Sequence, residues 1–301
     1  MPYVELHAHS AFSFLDGVSL PSELAEAAVG LGYEAVALTD HNGVYGSMEF
    51  AQAARAVGLR AIHGAEVDVV DEPVGPHRRE TPPASRHLTL LVRDARGWSN
   101  LCRLLTRAHA HVRAPDGGPI LDSPRVTLDE VAEHAEGLVC LSGCSRDGVR
   151  DEPTMRRLLA AFGRDAFRVE LQRPFARHDR ALNRGLSSLA ARLGVPCVAT
   201  GNVHAHTRAR ARLQDAFVAI REHSTLDASE PLRRGNHTHV LASPAAMAAR
   251  FADHPEAIAE TARVAEMLTF DLAGDLGYRY PGAEDDQADA ELARVCAHAF
   301  G

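Results

Sequence analysis

Residues Leu31–Gly46, LGYEAVALTDHNGVYG, are the most informative segment for the fold class. Its centre, Ala35–Thr39, is a short apolar run of the kind that forms a fully buried strand. A helical pattern precedes it at Leu20–Leu31, and a second helical pattern follows at Gly46–Val57. A buried strand flanked by helices on both sides indicates an α/β fold with a mostly parallel sheet.

The same alternation continues along the rest of the chain. Further apolar runs typical of strands are Val4–Leu6, Arg60–Val70, His87–Arg93, Gly137–Leu141, Phe167–Leu171 and Val195–Thr200. Helical sequence lies between them, and about seven strands over roughly 200 residues suit a barrel better than a small open sheet. We predict one α/β barrel domain over residues 1–270, followed by a linker and a short helical extension in 271–301.

The composition excludes several classes of protein. Of the 301 residues, 46% are apolar and 24% are charged, which excludes collagen-like and wholly disordered chains. The net charge is −8, whereas DNA-wrapping domains are usually basic, so contact with nucleic acid would need a local basic patch or metal ions. The five cysteines form no CxxC pair, and no secretory leader or membrane span is found. These features predict a cytoplasmic protein with free thiols.

Two histidines, His7 and His9, follow the first predicted strand. In an extended segment, residues i and i+2 point to the same side, so both imidazoles can reach one ion. Asp16 follows shortly afterwards, before a glycine. Each signal also has a plainer interpretation, because an isolated His-x-His is often incidental and Asp-Gly is common in turns.

Other possible metal ligands also stand at the ends of predicted strands. They are His41, Glu66, His87, Cys144, Asn202 and His204. Strand ends are where parallel α/β folds build their sites, so the joint placement predicts a metal centre. By contrast, His237-Thr238-His239 and the pair Arg233-Arg234 lie away from these strand ends. We interpret the histidines as incidental. The two arginines could contact phosphate, but an isolated pair is usually at the surface, and we interpret them so.

The types of ligand narrow the choice of metal. Imidazole, carboxylate and thiolate groups suit Zn²⁺, Mn²⁺ or Fe²⁺ better than Ca²⁺ or Mg²⁺. The candidate positions exceed what one four-coordinate ion needs, so two or three ions that share ligands are expected. Such clusters activate water at neutral pH and clamp phosphate oxygens, which makes phosphoester hydrolysis the first chemistry to expect.

Four motifs together resemble those of the PHP (polymerase and histidinol phosphatase) family of metal-dependent phosphoesterases. They are His7-Ala8-His9-Ser10, Thr39-Asp40-His41, Gly64-Ala65-Glu66 and Asn202-Val203-His204. The surrounding sequence is similar to one branch, the N-terminal module of bacterial C-family DNA polymerase III alpha subunits of the error-prone type. The stretches that carry this similarity are Tyr3–Gly17, Leu31–Gly46, Gly97–Ala108, Gly137–Cys144 and His254–Leu268.

The resemblance implies a distorted (β/α)7 barrel that holds up to three ions. The implied ligands of the first ion are His7, His9, Glu66 and Asn202, those of the second are Glu66, His87 and Cys144, and those of the third are Asp16, His41 and His204. It also implies that His7, His9, Glu66 and His204 act in catalysis through bound metal. Glu5 and Asn202 stand where many members have aspartate. A neutral amide at position 202 weakens the first ion's site and puts hydrolysis in doubt.

The resemblance implies a function and leaves two alternatives open. The implied function is a phosphoesterase that trims DNA 3′ ends, attached to the rest of a C-family polymerase whose core begins within 271–301. The chain alone should not copy DNA. One alternative is a metal-stabilised structural module with little activity, which Asn202 and the acidic charge favour. The other is a free-standing small-molecule phosphatase, which the polymerase-like segments Gly97–Ala108 and His254–Leu268 disfavour.

Overall fold

The computed structural model of the chain describes residues 3–71, 85–112, 123–235, 237–276 and 288–300. The strands are β1 (Ala35–Leu38), β2 (Arg60–Val70), β3 (Arg86–Val92), β4 (Val126–Thr127), β5 (Leu138–Leu141), β6 (Phe167–Gln172) and β7 (Cys197–Thr200). The helices are α1 (Pro21–Gly30), α2 (Ser47–Val57), α3 (Ala95–His111), α4 (Leu128–Glu133), α5 (Glu152–Phe162), α6 (Asp179–Leu193), α7 (Ala211–Arg221), α8 (Pro244–Arg250), α9 (Pro255–Met267) and α10 (Ala288–Phe300). The predicted alternation of strands and helices, and the α/β class, are confirmed.

The strand order explains why His87 can join the other predicted ligands. The sheet runs β1-β2-β3-β5-β6-β7, with β4 paired to β2. Most pairs are parallel, as predicted, but β3 is antiparallel to both β2 and β5. Its first residues therefore lie beside the second half of β2, where Asp68 pairs with His87 and Glu66 pairs with Thr89. His87 is near the start of β3, yet it lies at the same edge of the sheet as the candidate ligands near the ends of the parallel strands.

The N-terminal segment lies between β1 and the residues after β7. Glu5 bridges Val36 on one side, and Ala8 bridges Val203 on the other. The predicted strand at Val4–Leu6 is extended but forms these single bridges instead of a regular ladder. Its backbone groups do not all bond to one neighbouring strand. The His7 amide, for example, donates to the Glu5 carboxylate at 3.1 Å. This segment joins the two ends of the strand order and so brings His7 and His9 to the centre of the barrel.

Helices cover the outside of the strands and supply the core. Phe50 of α2, Leu104 of α3 and Phe167 of β6 are completely buried. The Asp94 side chain caps α3 by accepting the Gly97 amide at 2.9 Å, which satisfies one of the free donors at the helix start. Gly97 must lack a side chain because a Cβ there would collide with the carbonyl oxygen of Gly137. Helix α3 therefore packs tightly against the start of β5.

The C-terminal end of the described chain contains the predicted short helix. Helix α10 is the short helix predicted near the C-terminus. The boundary between a domain at 1–270 and an extension at 271–301 stays a prediction, and residues 277–287 of the predicted linker lie outside the described residues. None of the described helices has the length and apolar character needed to cross a membrane.

His63 is a buried histidine outside the predicted ligand set. His63 of β2 is 1% exposed and packs edge-on against Trp98 and Phe270, with ring centroids 6.2 and 6.4 Å away. Among the described residues its Nδ1 has no hydrogen-bond partner. Burial lowers the pKa of His63 from 6.5 to about 4, since a proton there would place a charge among apolar rings.

We predict that His63→Phe makes the folded state less sensitive to acid. The unfolded chain takes up this proton near pH 6.5 and the folded chain only near pH 4, so the contribution of neutral His63 is present above pH 6.5 and is lost as the pH falls towards 4. By pH 4.5 the loss is about 2–3 kcal/mol, at 1.36 kcal/mol per pKa unit.

Urea unfolding with a chelator present, at pH 7.5 and at pH 4.5, measures this difference. His178→Phe is the matched control, because His178 is exposed. An equal loss of stability at low pH in the wild type and in His63→Phe would contradict the assignment.

Candidate metal centre

The first group of ligands brings together residues of the N-terminal segment and β2. The Nε2 atoms of His7 and His9 lie 3.1 Å apart. Oε1 of Glu66 is 3.3 Å from the His7 nitrogen, and its Oε2 is 3.6 Å from the His9 nitrogen. All three side chains are buried, and one ligand atom of each lies within 4.8 Å of the others. A buried carboxylate facing two imidazole nitrogens is suited to one divalent cation.

Glu66 also belongs to a second group. Its Oε2 lies 3.0 Å from Nδ1 of His41, and its Oε1 lies 3.2 Å from Nδ1 of His87. The thiol of Cys144 continues this group, with Sγ 3.6 Å from Nδ1 of His87. His87 and Cys144 also lie within 4.8 Å of a carboxylate oxygen of Asp147. One carboxylate thus connects two neighbouring groups of possible ligands.

The predicted third group has a different environment. Asp16 and His204 are together, with Oδ2 2.9 Å from Nε2. His41 lies with Glu66 and His87, and no group of three possible ligands among the described residues includes Asp16 or His204. The same Asp16 oxygen accepts a charge-assisted hydrogen bond from Arg234 at 2.8 Å. The third ligand set stays a prediction, and a guanidinium competes for its carboxylate.

Asn202 follows β7 and contacts His204, His239 and Gln172. Its backbone has a φ of 48°, in the left-handed region that asparagine tolerates better than most residues. Its carbonyl oxygen accepts from Nδ1 of His204 at 2.9 Å and of His239 at 3.0 Å. Its side-chain amide donates to Gln172 at 3.4 Å, whereas its side-chain oxygen is buried without a hydrogen-bond donor among the described residues.

Buried oxygens of the cluster fit a divalent cation. Oε1 of Glu66 and Oδ1 of Asp68 are buried and face histidine nitrogens at 2.9–3.3 Å. The side-chain oxygen of Asn202 is buried and accepts no hydrogen bond from the described residues. A buried acceptor without a partner costs about 1–3 kcal/mol, and a bound cation would remove that cost. The residues present can therefore hold a metal ion.

A second layer of side chains orients the ligands. Glu170 of β6 accepts Nδ1–H of His7 at 2.7 Å, which leaves Nε2 free to face Glu66. Gln172 and Thr200 donate hydrogen bonds to the same Glu170 oxygen. The hydroxyl of Ser10, next to His9, donates to Asp40 at 2.7 Å. The Ser10 hydroxyl thus stabilises the loop after His9, in agreement with a site that needs no serine nucleophile.

The electrostatics of the cluster favour positive charge. Burial would raise the pKa of Glu66, but the neighbouring His87, His41 and His7 hold it well below its usual value. Burial would lower the pKa of His41, but the carboxylates of Asp68 and Glu66 raise it to about 10. Burial would likewise lower the pKa of His7, and Glu170 and Glu66 raise it well above its usual value. The carboxylates therefore stay ionised and attract cations.

Several residues of the site were not among the predicted ligands. Asp68 is 5% exposed, and its oxygens lie 2.9 Å from Nε2 of His87 and 3.5 Å from Nε2 of His41. The interpretation of Arg234 as a surface residue is wrong, because it pairs with Asp16 and its side chain is only 17% exposed. The interpretation of His239 as incidental is also wrong, since it contacts Asn202 and its ring packs edge-on against His204.

Comparison with known proteins agrees with this geometry. Residues 5–174, more than half of the chain, match the PHP domain family. An error-prone DNA polymerase of Mycolicibacterium paratuberculosis is 39% identical over 290 residues, which cover 91% of this chain and 25% of the relative. An error-prone DNA polymerase of Symbiobacterium thermophilum is 36% identical over 286 residues, covering 88% and 25%. The chain thus spans about a quarter of the length of these relatives.

One solved structure is more distantly similar to this chain. A crystal structure assigned to the metal-dependent phosphoesterases, from Bifidobacterium adolescentis, has a TM-score of 0.49 and 18% identity, and covers 67% of this chain and 88% of that chain. The family match and the extensive identity to the polymerases are the stronger findings. On these two findings, the chain belongs to the PHP domain family.

Proposed function

We propose that this chain is a metal-dependent phosphoesterase that hydrolyses the phosphodiester at the 3′ end of a DNA strand, as one part of a larger error-prone polymerase. One observation carries the proposal. The buried Glu66 carboxylate contacts four histidines in two adjacent groups, His7 and His9 on one side and His41 and His87 on the other. Two adjacent metal positions that share a carboxylate suit in-line displacement at phosphorus.

The ligand sets are those that the family resemblance implies. His7, His9, Glu66 and Asn202 would hold one ion of Zn²⁺, Mn²⁺ or Fe²⁺, and Glu66, His87 and Cys144 would hold a second. The clusters of His7, His9 and Glu66, of His41, Glu66 and His87, and of His87, Cys144 and Asp147 support these sets in part. Such ions, when bound, polarise phosphate oxygens and acidify a water molecule at neutral pH. The proposed catalytic residues are His7, His9, Glu66 and His204, acting through the metal.

The protein's own groups have separate tasks in this proposal. Glu170 holds the His7 ring, and the Asn202 carbonyl holds the His204 ring, so that each presents Nε2 to the centre. A cleft of about 700 Å³ opens over His41 and His87. Arg146, Arg221 and Arg234 line it, and their guanidinium groups can bind phosphates of the strand. The polymerase relatives support a longer parent that works on DNA. We propose that it does so in the cytoplasm.

A second candidate function rests on Asn202. A neutral amide oxygen gives the first ion one less charge partner than a carboxylate, which lowers affinity and the power to activate water. The chain would then be a structural module of the polymerase, stabilised by metal and with little hydrolytic activity. A free-standing phosphatase for small molecules has less support, since the relatives that match about 90% of the chain are polymerases.

The number of ions depends on Arg234. Its guanidinium and His204 both contact Oδ2 of Asp16, and Arg221 lies 3.7 Å from the other oxygen. A third dication on Asp16 would have to displace or repel these cations. We therefore propose two tightly bound ions and a third that binds last and most weakly.

We predict that the metal content falls by different amounts in two variants. Glu66→Ala should lose both tight ions, because the carboxylate belongs to both groups, whereas Cys144→Ser should lose only the second. Elemental analysis of folded protein after dialysis measures the ratio of metal to chain. Cys102→Ser, which changes a cysteine of α3 outside the site, should keep the wild-type content. Equal content in Glu66→Ala and wild type would refute the shared ligand.

We predict that hydrolysis depends on His9 and improves with Asn202→Asp. Bis(p-nitrophenyl) phosphate and a 3′-tailed DNA are assayed with Mn²⁺ or Zn²⁺. His9→Ala should reduce turnover at least about 10–100-fold, the loss typical of a weakened metal site, and Asn202→Asp should raise it. A folded, metal-loaded wild type that is inactive, with an active Asn202→Asp, would favour the structural module. Inactivity of both would contradict the phosphoesterase proposal.

We predict that Arg234→Gln tightens binding of the weakest ion. Removal of the guanidinium frees the Asp16 carboxylate and removes a positive charge, so the affinity for the third ion should rise about tenfold, or about 1.4 kcal/mol. Metal titration followed by calorimetry measures the change. Arg233→Gln is the matched control, because Arg233 faces Asp215 instead. Three equally tight ions in the wild type would contradict the role of Arg234.

A further inference from the structure

A group of aromatic side chains stands at the rim of the cleft over the metal ligands. Phe14 is 74% exposed and Tyr45 is 55% exposed, and their ring centroids are 6.5 Å apart. Phe12 continues the group, 6.4 Å from Phe14. All three line the same cleft as His41 and His87. We call Phe12, Phe14 and Tyr45 the aromatic rim.

The loop that carries the rim is anchored to the site. Asp40 accepts hydrogen bonds from the Ser10 amide at 2.6 Å and from the Ser13 hydroxyl at 2.7 Å. The Ser13 hydroxyl also receives the His41 amide at 3.0 Å. These bonds fix the chain between the ligand His9 and Phe14. The exposure of Phe14 therefore comes from a well-held loop, and its distance from the metal ligands is set by the fold.

Tyr45 is held from the opposite side. Its hydroxyl lies 3.1 Å from Nε2 of His109 on α3, and the same nitrogen lies 2.9 Å from the Asn42 carbonyl oxygen. The two rings also meet edge-on, with centroids 6.2 Å apart. Contact with His109 thus holds the Tyr45 ring in place, and both Phe14 and Tyr45 remain exposed to solvent.

The same cleft also contains guanidinium groups. Arg146, Arg221 and Arg234 line it, and Arg221 and Arg234 approach Asp16. The cleft therefore combines exposed rings, guanidinium groups and the metal ligands within one volume of about 700 Å³. A ligand that uses all three must carry a flat unsaturated ring and phosphates. An unpaired nucleotide at the end of a strand has both, whereas a simple phosphomonoester gains nothing from the rings.

We propose that Phe14 and Tyr45 form a stacking surface for the terminal unpaired base of a nucleic-acid strand whose phosphodiester reaches the metal ligands. The inference rests on the proposed function for the position of the phosphodiester. It adds the expectation that the end be single-stranded, because an unpaired terminal base is free to leave its own strand's stack and lie against the rim. Stacking on aromatic side chains tolerates any base, so recognition by the rim should depend little on sequence.

Binding of two end-labelled oligonucleotides tests the proposal. Both are short single strands with phosphorothioate linkages at the 3′ end to slow hydrolysis, and they differ only in a terminal thymidine or a terminal abasic residue. Fluorescence anisotropy with Mn²⁺ present should show that the wild type binds the thymidine-ended strand about tenfold more tightly, within the range of one base–aromatic stack. Phe14→Ala should abolish this preference, and Phe14→Trp should keep it.

Phe175→Ala is the matched control, because Phe175 is 57% exposed and packs against Arg250 away from the aromatic rim. It should keep the wild-type preference. Equal binding of the two strands by the wild type, retention of the preference in folded Phe14→Ala, or no binding of either strand would overturn the proposal.

The outcome is separable from that of the proposed function. A base preference that depends on Phe14, in a wild type that hydrolyses neither substrate, supports the stacking surface while the phosphoesterase proposal fails. Turnover that depends on His9, without any preference for a terminal base, overturns the stacking surface alone.

Discussion

A buried carboxylate surrounded by imidazoles is the interaction on which the rest of this site depends. Glu66 is 3% exposed and lies within 3.6 Å of nitrogens from four histidines. An ionised carboxylate in such a place is costly unless positive charge accompanies it. The fold meets this requirement by collecting histidines from separate segments around one residue of β2. Because the Glu66 carboxylate needs positive charge beside it, the cluster is also suited to divalent cations.

Two irregularities of the barrel bring those histidines together. The antiparallel direction of β3 places His87 beside Asp68 and near Glu66, although it begins its strand. The N-terminal segment lies between β1 and the chain after β7, and it forms single bridges to each instead of a continuous ladder. His7 and His9 thereby reach the same carboxylate as His41 and His87. A regular parallel barrel would not place both pairs on one carboxylate.

The residues at the strand ends were easier to predict from the sequence than the side chains that contact them. The clustering of His7, His9, Glu66 and His87 was predictable because polar residues at strand ends leave a visible pattern. Glu170 was missed although a glutamate inside the apolar run Phe167–Leu171 was a detectable signal. Arg234 and His239 carry no such signal, since they come from a segment beyond β7 that returns to the site only in three dimensions. The pairing of His41 with His87 likewise depends on the direction of β3, which alternation of strands and helices does not reveal.

Anomalous X-ray diffraction can show directly whether Glu66 is shared by two metal positions. Crystals of the wild-type chain grown with Mn²⁺ should give two strong anomalous peaks on opposite sides of the Glu66 carboxylate, one near His7 and His9 and the other near His87 and Cys144. Ions that are bound elsewhere, or a single ion without contact to Glu66, would contradict the account.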